Sequence, residues 1–414
     1  MNTKGRNLSD VQNMNRSLII RIIQKKHRTT RAEISKETGL NKATVTNIVS
    51  DLISWGVIKE VGLISGEAGR RSIAIELAAD DYAIIGLWVT RRHLHVGIYN
   101  MYGKSSSVQS YLIGLNSQAE ELINTICEKV TEIKETCTEK KILGVALALP
   151  GPYIKEEERI ALLTERSDWQ NVDIVSRIRE RIDMEIITEH DTYASAVAEW
   201  CFTQNYDETS SMFCITVSLG VGGCYVENGR IMSGNLGVAG EIGHMSIDYR
   251  GIPCECGNRG CLEKYCTTIA ALKKAKRLLP DYPDTCCSEN MIESELLDAY
   301  RKGDPLACKV INEAGKYLGY GIANIINICN PKTIIIGDEI ARAGEPFLKV
   351  VKESARERVL PIIFNETEIQ LSNLHDSILS GVCMSFMQRV VEKPELFFKT
   401  KLNLDYSRHS RESG

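Results

Sequence analysis

Between residues 244 and 261 the sequence sets one histidine and three cysteines in a tight spacing: His244, nine residues, Cys254, one residue, Cys256, four residues, Cys261. Three thiolates and an imidazole make a complete tetrahedral set for Zn²⁺, and Gly257 and Gly260 permit the close backbone that brings the sulfurs together. Free thiols or a labile disulfide are the competing readings. With no ligand position left open, such a zinc is structural and fixes the segment from Glu241 to Glu263, which chelation would loosen. The other cysteines do not extend this pattern. Fourteen are diluted over 414 residues, and Cys214, Cys308, Cys329 and Cys383 sit singly in apolar segments, which reads as buried thiols and not as a disulfide framework.

A chain of this length allows two or three domains, and 43% hydrophobic with 25% charged residues is ordinary globular usage, which excludes collagen-like, coiled-coil and disordered classes. Apolar runs such as Ile334 to Gly337 and Leu18 to Ile23 fall far short of the ~20 residues that cross a bilayer. The polar N-terminus carries no apolar stretch of a secretory signal, so the expected location is cytoplasmic, with no membrane partner.

Charge is uneven. Residues 1–80 hold thirteen Lys and Arg against eight Asp and Glu, a net of +5, within a chain of net charge −4. A polyanion would bind at that end, although such a surface is common without one. Local pattern is more specific. Leu18, Ile19, Ile22 and Ile23 predict an amphipathic first helix, and Arg31 to Thr38 a second stopped by Gly39. Asn41 stands as N-cap of a third. In that third helix Val45, Ile48, Val49, Leu52 and Ile53 form one apolar stripe, while Lys42, Thr44, Thr46 and Asn47 face outward, as a recognition helix presents short polar side chains to base edges. Two strands follow, Val57 to Leu63 and Ser72 to Leu77, the second with Ile73, Ile75 and Leu77 inward. The turn at Gly66 to Gly69 makes this hairpin a wing tipped by Arg70 and Arg71, which would reach phosphates or the minor groove of double-stranded DNA. The alternatives are a three-helix protein-docking unit and a merely solvated turn.

From Asp81 strands and helices alternate. Ala83 to Val89, Leu94 to Tyr99 and Ile142 to Leu149 make one set of strands. A second set starts at Phe213 to Val217, turns at Asn228 and Gly229, and ends at Thr333 to Ile336. Two similar halves predict two lobes with a ligand cleft at strand C-terminal ends. The predicted divisions are a DNA-binding domain over 1–80, an α/β ligand-binding domain over 81–392 that contains the zinc segment 241–263, and a flexible tail over 393–414.

The run GNLGVAGEIGHMSIDYRGIPCECGNRGCLEKY resembles the signature of the ROK family of repressors and sugar kinases, and ALPGPY, DTYASAVAE and NIINICNPKTIIIG resemble its other landmarks in order. The front NRSLIIRIIQKKHRTTRAEISKETGLNKATVTNIVSDLI, followed by GRRS, resembles the DNA-binding half of the family's repressors, the xylose repressors of Gram-positive bacteria above all. The resemblance implies a winged helix-turn-helix followed by a two-lobed, actin-like domain of the sugar-kinase type, in a dimer or tetramer. It also implies a sugar pocket of His190, Asp191, Glu241, His244 and Glu263. Carboxylates suit this task because each accepts from two neighbouring hydroxyls. His244 would serve twice, one ring nitrogen on zinc and the other on the sugar. His190 replaces the family's Asn with a bulkier, titratable ring, a change that bears on which sugar is recognised.

In ROK kinases the position of Asp191 is the general base, and an Asp-x-Gly-x-Thr loop cradles the nucleotide. Here that loop reads Gly86-Leu87-Trp88-Val89-Thr90-Arg91, with an indole for the carboxylate and no glycine after it. The adenosine-side glycine pair is broken too, since Asp338 and Glu339 follow Gly337. Sugar binding is expected to survive and phosphoryl transfer is not, so no enzyme is expected. The resulting expectation is a dimeric repressor that a monosaccharide, xylose, releases from a pseudo-palindromic operator. A ROK sugar kinase with an appended DNA-binding domain, or a regulator answering to another sugar or a protein partner, are the alternatives.

Overall fold

Each of the first three helices starts at a side chain that caps it. In the computed structural model, which describes residues 7–65, 71–114, 118–161, 169, 172–203 and 210–398, these are α1 (Leu8–Lys26), α2 (Arg31–Thr38) and α3 (Lys42–Ser54). Asn7, Thr30 and Asn41 accept hydrogen bonds from the N–H groups of Asp10, Glu33 and Thr44, donors that the helices themselves leave unpaired. The α3 stripe of Val45, Ile48, Val49 and Leu52 is buried as its spacing requires. In α1 the buried face is Ile19, Ile20 and Ile23, while Leu18 is 41% exposed. The face is turned from the expected one because α1 packs on α2, the wing and the last long helix at once.

The wing pairs β1 (Ile58–Ser65) antiparallel with β2 (Arg71–Leu77), with an irregularity between Glu60 and Leu63. Ile75 and Leu77 point inward, but Ile73 does not: it is 45% exposed beside Leu63 at 60%. Nothing described covers that end of the ribbon. Arg71 is exposed at the start of β2, and Arg70, with the turn at Gly66 to Gly69, lies outside the described residues.

Two five-stranded sheets follow with one repeated plan. The first runs β5-β4-β3-β6-β9, from β3 (Tyr82–Val89), β4 (His93–Tyr99), β5 (Ser105–Leu112), β6 (Lys141–Leu149) and β9 (Ile186–His190). A small ribbon of β7 (Tyr153–Ile154) and β8 (Arg159–Ile160) lies between the last two in sequence. The second runs β12-β11-β10-β13-β14, from β10 (Ser211–Val217), β11 (Val221–Glu227), β12 (Arg230–Ile231), β13 (Thr333–Gly337) and β14 (Glu368–Leu371). In each sheet the first three strands are antiparallel neighbours and the last two add in parallel. β13 is buried throughout and β3 nearly so, as central strands covered on both faces are.

The helices divide between the lobes. α4 (Ala119–Thr136) and α5 (Ile174–Arg179) cover one face of the first sheet. Its other face takes α13 (Ser377–Glu392), and α6 (Asp191–Phe202) lies along α13 and reaches over to the second lobe. Against the second sheet pack α7 (Glu263–Cys266), α8 (Thr268–Leu278), α9 (Glu293–Arg301), α10 (Pro305–Cys329), α11 (Glu345–Arg356) and α12 (Pro361–Phe364). α6 and α13 approach so closely that a Cβ on Gly381 would stand 1.8 Å from the Ala194 carbonyl oxygen.

One apolar cluster joins Ile19, Ile20 and Ile23 of α1 to Val390 and Val391 of α13 and to Phe398. Residues 394–398, placed by the sequence reading in a flexible tail, form a helical turn, and Phe398 is 5% exposed with its ring edge-on to Tyr82. The two aromatic residues at 397 and 398 supply the apolar area that a tail would lack.

Candidate functional site

Five strands deliver their C-terminal ends to one cleft. Trp88 stands next to last in β3, His190 closes β9, and Pro150, Ser218 and Asp338 follow β6, β10 and β13; all five line a cavity shared with Asp191, Glu241, His244 and Glu263. This is where an α/β fold places a ligand. Larger cavities flank it, one against α8 and α10 and one between α6 and residues 229–237. Neither holds more than one of the five sugar-pocket candidates, whereas the interlobe cavity holds all of them.

Asp191 opens α6, where the helix dipole favours a negative charge, and its Oδ1 accepts from the Thr192 N–H at 2.7 Å. Thr192 in turn meets Thr216 of β10, hydroxyl to hydroxyl at 2.8 Å, tying α6 to the second lobe. His190 lies beside it, Nε2 3.7 Å from Asp191 Oδ1, with Nδ1 buried and unpartnered among the described residues. Glu241 is set by the residue before it. Gly240 has φ 98°, and a Cβ there would stand 1.9 Å from the Gly223 carbonyl oxygen, so only glycine lets the loop press onto β11 and carry Glu241 into the cleft. Burial pushes the Glu241 carboxyl up, against the pull of His190 and His244. Glu263, 9% exposed, starts α7 with Oε1 3.7 Å from His244 Nδ1.

His244, Cys254, Cys256 and Cys261 bring one ligand atom each to within 4.8 Å of one another. Cys256 and Cys261 sulfurs are 3.6 Å apart and the Cys254 sulfur is 3.8 Å from His244 Nδ1. Zinc bound at ~2.3 Å would hold neighbouring ligands ~3.8 Å apart, and a disulfide would need ~2.05 Å. The set therefore fits a tetrahedral ion and not a disulfide, and all fourteen cysteines are free. Cys214 and Cys383 are buried as expected; Cys308 and Cys329 are only half-buried. With Nδ1 turned to the sulfurs, the other ring nitrogen of His244 is left for the cleft that the residue lines.

On α3, Lys42, Thr46 and Asn47 are exposed and Thr44 is half-buried beside the cap it donates to. The Thr46 hydroxyl donates to the Lys42 carbonyl oxygen at 2.8 Å, which fixes its rotamer and leaves its lone pairs outward. Lys42 and Asn47 thus remain the freest polar groups at the start of that helix.

Trp88 and Asp338 were legible only as lost kinase features; the structure makes both walls of the cleft. Asp338 adopts φ 67° and ψ −157°, a region that glycine populates, so the replaced glycine was itself the signal. Thr216 gave no sequence signal, and Ser218 none beyond opening the glycine-rich run Ser218 to Gly223, a weak signal by itself.

A winged helix-turn-helix joined to a two-lobed α/β domain with a polar interlobe cleft is the build of a ligand-responsive DNA-binding regulator. Residues 85–379 match the ROK family and residues 15–59 match the winged helix-turn-helix DNA-binding family. The chain belongs to the ROK family. A xylose repressor of Caldicellulosiruptor bescii is 28% identical to it over 384 residues, 91% of this chain and 96% of its own length. The DNA-binding transcriptional dual regulator NagC of Escherichia coli is 28% identical over 383 residues, 91% of this chain and 93% of its own. Among solved structures, a ROK family transcriptional regulator homologous to the Escherichia coli MLC protein has a TM-score of 0.79 at 24% identity, over 92% of this chain and 97% of that one. A ROK family glucokinase from Streptomyces griseus, in complex with glucose and AMPPNP, has a TM-score of 0.65 at 23% identity, over 73% of this chain and 98% of that one. No helix among the described residues is long and apolar enough to cross a membrane.

Proposed function

We propose that this chain is a cytoplasmic repressor that xylose releases from its operator, and that it does no chemistry on the sugar. The observation that carries the reading is the continuity from cleft to DNA-binding unit. Asp191 begins α6, α6 lies along α13, and α13 holds α1 through the Ser17 hydroxyl, which donates to the Val391 carbonyl oxygen at 2.7 Å. Asn13 adds a bond to Glu395 at 3.2 Å. A sugar that draws Asp191 toward Glu241 and Glu263 closes the lobes, and α6 and α13 carry that rotation to the winged helix.

In a dimer this changes the distance between two recognition helices, whose Lys42, Thr44, Thr46 and Asn47 face two half-sites while Arg70 and Arg71 reach the backbone or minor groove. A sugar can shift the equilibrium only by its preference for one state; a 100-fold preference supplies about 2.7 kcal/mol. Zinc is the ion that His244, Cys254, Cys256 and Cys261 would hold, and it would supply rigidity, keeping the His244 ring and Glu263 at the angle the sugar needs. The indole of Trp88 in place of a phosphate cradle supports a binding site without turnover.

Fluorescence anisotropy on the DNA upstream of the chain's own gene, at fixed salt, tests this. Millimolar xylose is expected to release wild type and to leave Glu241→Ala bound, with the sugar-free DNA affinity of the two alike. Tight binding indifferent to xylose overturns the xylose assignment, and sugar-dependent ADP release in a coupled assay overturns the reading without chemistry.

A further inference from the structure

Between α8, α10 and the segment that carries the cysteines lies a cavity of about 470 Å³, a size at which proteins hold small molecules. It contains none of Asp191, Ser218 and Asp338 and is a site apart from the interlobe cleft. Its floor is apolar, made by Ala270 of α8 with Val310 and Ala314 of α10. One wall is aromatic. There the rings of Tyr265 and Tyr317 stand 4.8 Å apart, and the Tyr265 hydroxyl accepts from the Ile252 N–H at 3.0 Å.

Five cations surround this floor, Arg91, Lys264, Lys273, Lys274 and Arg277, against the carboxylates of Glu255, Glu263 and Glu313. The balance is +2 in a part of the chain that is otherwise acidic: residues 81–414 carry a net charge of −9, the chain's −4 less the +5 of residues 1–80. The carboxylates are already engaged. Glu255 pairs with Lys264, Glu313 with Lys274, and Glu263 lies 3.7 Å from the His244 ring. Arg91 donates to the Leu219 carbonyl oxygen at 3.4 Å, a bond that leaves its charge in place. Lys273 and Arg277 are exposed, and neither side chain has an ion pair or hydrogen bond among the described residues. They stand one helical turn apart on α8, where like charges repel, and an anion between them would remove that repulsion. A phosphate monoester carries about −1.5 to −2 at neutral pH, which matches the surplus, and a guanidinium beside an ammonium can meet its oxygens. The organic part of such an ester would cover the floor and the tyrosine rings.

We propose that this cavity binds an organic phosphate with an apolar or planar body, the phosphate on Lys273 and Arg277 and the body on Ala270, Tyr265 and Tyr317. The site stands whether or not the cleft takes a sugar. Arg91 and Glu263 line both cavities, so a ligand here also bears on the setting of Glu263.

Isothermal titration calorimetry of the full chain with phenyl phosphate, inorganic phosphate and phenol is the test, at fixed salt because ions screen exposed charges. Wild type is expected to bind phenyl phosphate at least tenfold more tightly than either fragment. The double variant Lys273→Glu, Arg277→Glu is expected to weaken that binding at least tenfold, and Ala270→Phe, which fills the floor without changing the charge, to do the same. Operator binding by anisotropy reports that each variant is folded. Glu241→Ala, a change in the cleft, is expected to bind phenyl phosphate as wild type does. Inorganic phosphate bound as tightly as phenyl phosphate overturns the organic ligand. Affinity that the charge reversal leaves unmoved puts the anion elsewhere, on the basic N-terminal domain, and overturns the site, as does loss of binding in Glu241→Ala or silence toward all three probes. Each of these outcomes leaves the xylose reading standing.

Discussion

Asp338 shows what a single residue can carry against its own stability. It is half-buried at the floor of a narrow cleft, and its dense surroundings push the carboxyl up to about 7 from an ordinary 3.8, burial first and the Asp191 charge after it. Between those two values the folded state keeps a proton that the unfolded chain has released. Stability therefore falls as pH rises through that window and stays reduced above it, by at most about 4 kcal/mol at 1.36 kcal/mol per unit. Asp338→Asn is expected to raise the melting temperature at pH 8 and to leave it nearly unchanged at pH 4. A gain of the same size at both pH values would show that the carboxyl is not the source. None of this was visible in the sequence beyond a glycine replaced, because a cost of this kind depends on which neighbours the fold supplies. Asp191, Glu241 and Glu263 were legible one by one, through motif position; that they share a cleft with Trp88 was not.

At the scale of elements, local chemistry was the more faithful guide. Gly39 and Asn41 marked the end of α2 and the start of α3, and the α3 stripe fell where its spacing put it. The misjudged faces were those of α1 and the wing, where the partner decides: α13 is more than 350 positions away, and Ile73, opposite Leu63 in the ribbon, has nothing among the described residues to bury it. The segment from Glu241 to Glu263 has no long element of its own and leans on its ligand cluster. Stripping metal with a chelator is expected to raise hydrogen exchange across residues 241–263 and abolish the sugar response, because His244 and Glu263 lose their setting, while operator affinity persists. Unchanged exchange in that segment would mean that the thiol–imidazole cluster needs no ion.

The whole molecule is two copies of one sheet plan clasped by α6 and α13, and those two helices stand between the cleft and α1. Their approach at Gly381 leaves no room for a side chain. Gly381→Ala must push the helices apart and is expected to cost about 1–3 kcal/mol, the usual range for overpacking. The sharper expectation is a split phenotype in which sugar still binds by calorimetry and no longer changes DNA affinity. If release by sugar survives in that variant, coupling runs by another route. The repeated lobes were legible as two sets of strands, but this clasp was not, since neither helix carries a mark of what it will touch.

The shared cluster of α1 and α13 also sets an order on manufacture. α1 buries Ile19, Ile20 and Ile23 against residues made more than 350 positions later, among them Val390, Val391 and Phe398. A nascent chain must hold that apolar face unsatisfied until those residues have been made. A messenger cut short before residue 377 therefore yields a recognition helix without its seat, and a cell that makes such fragments should clear them before they compete for the operator.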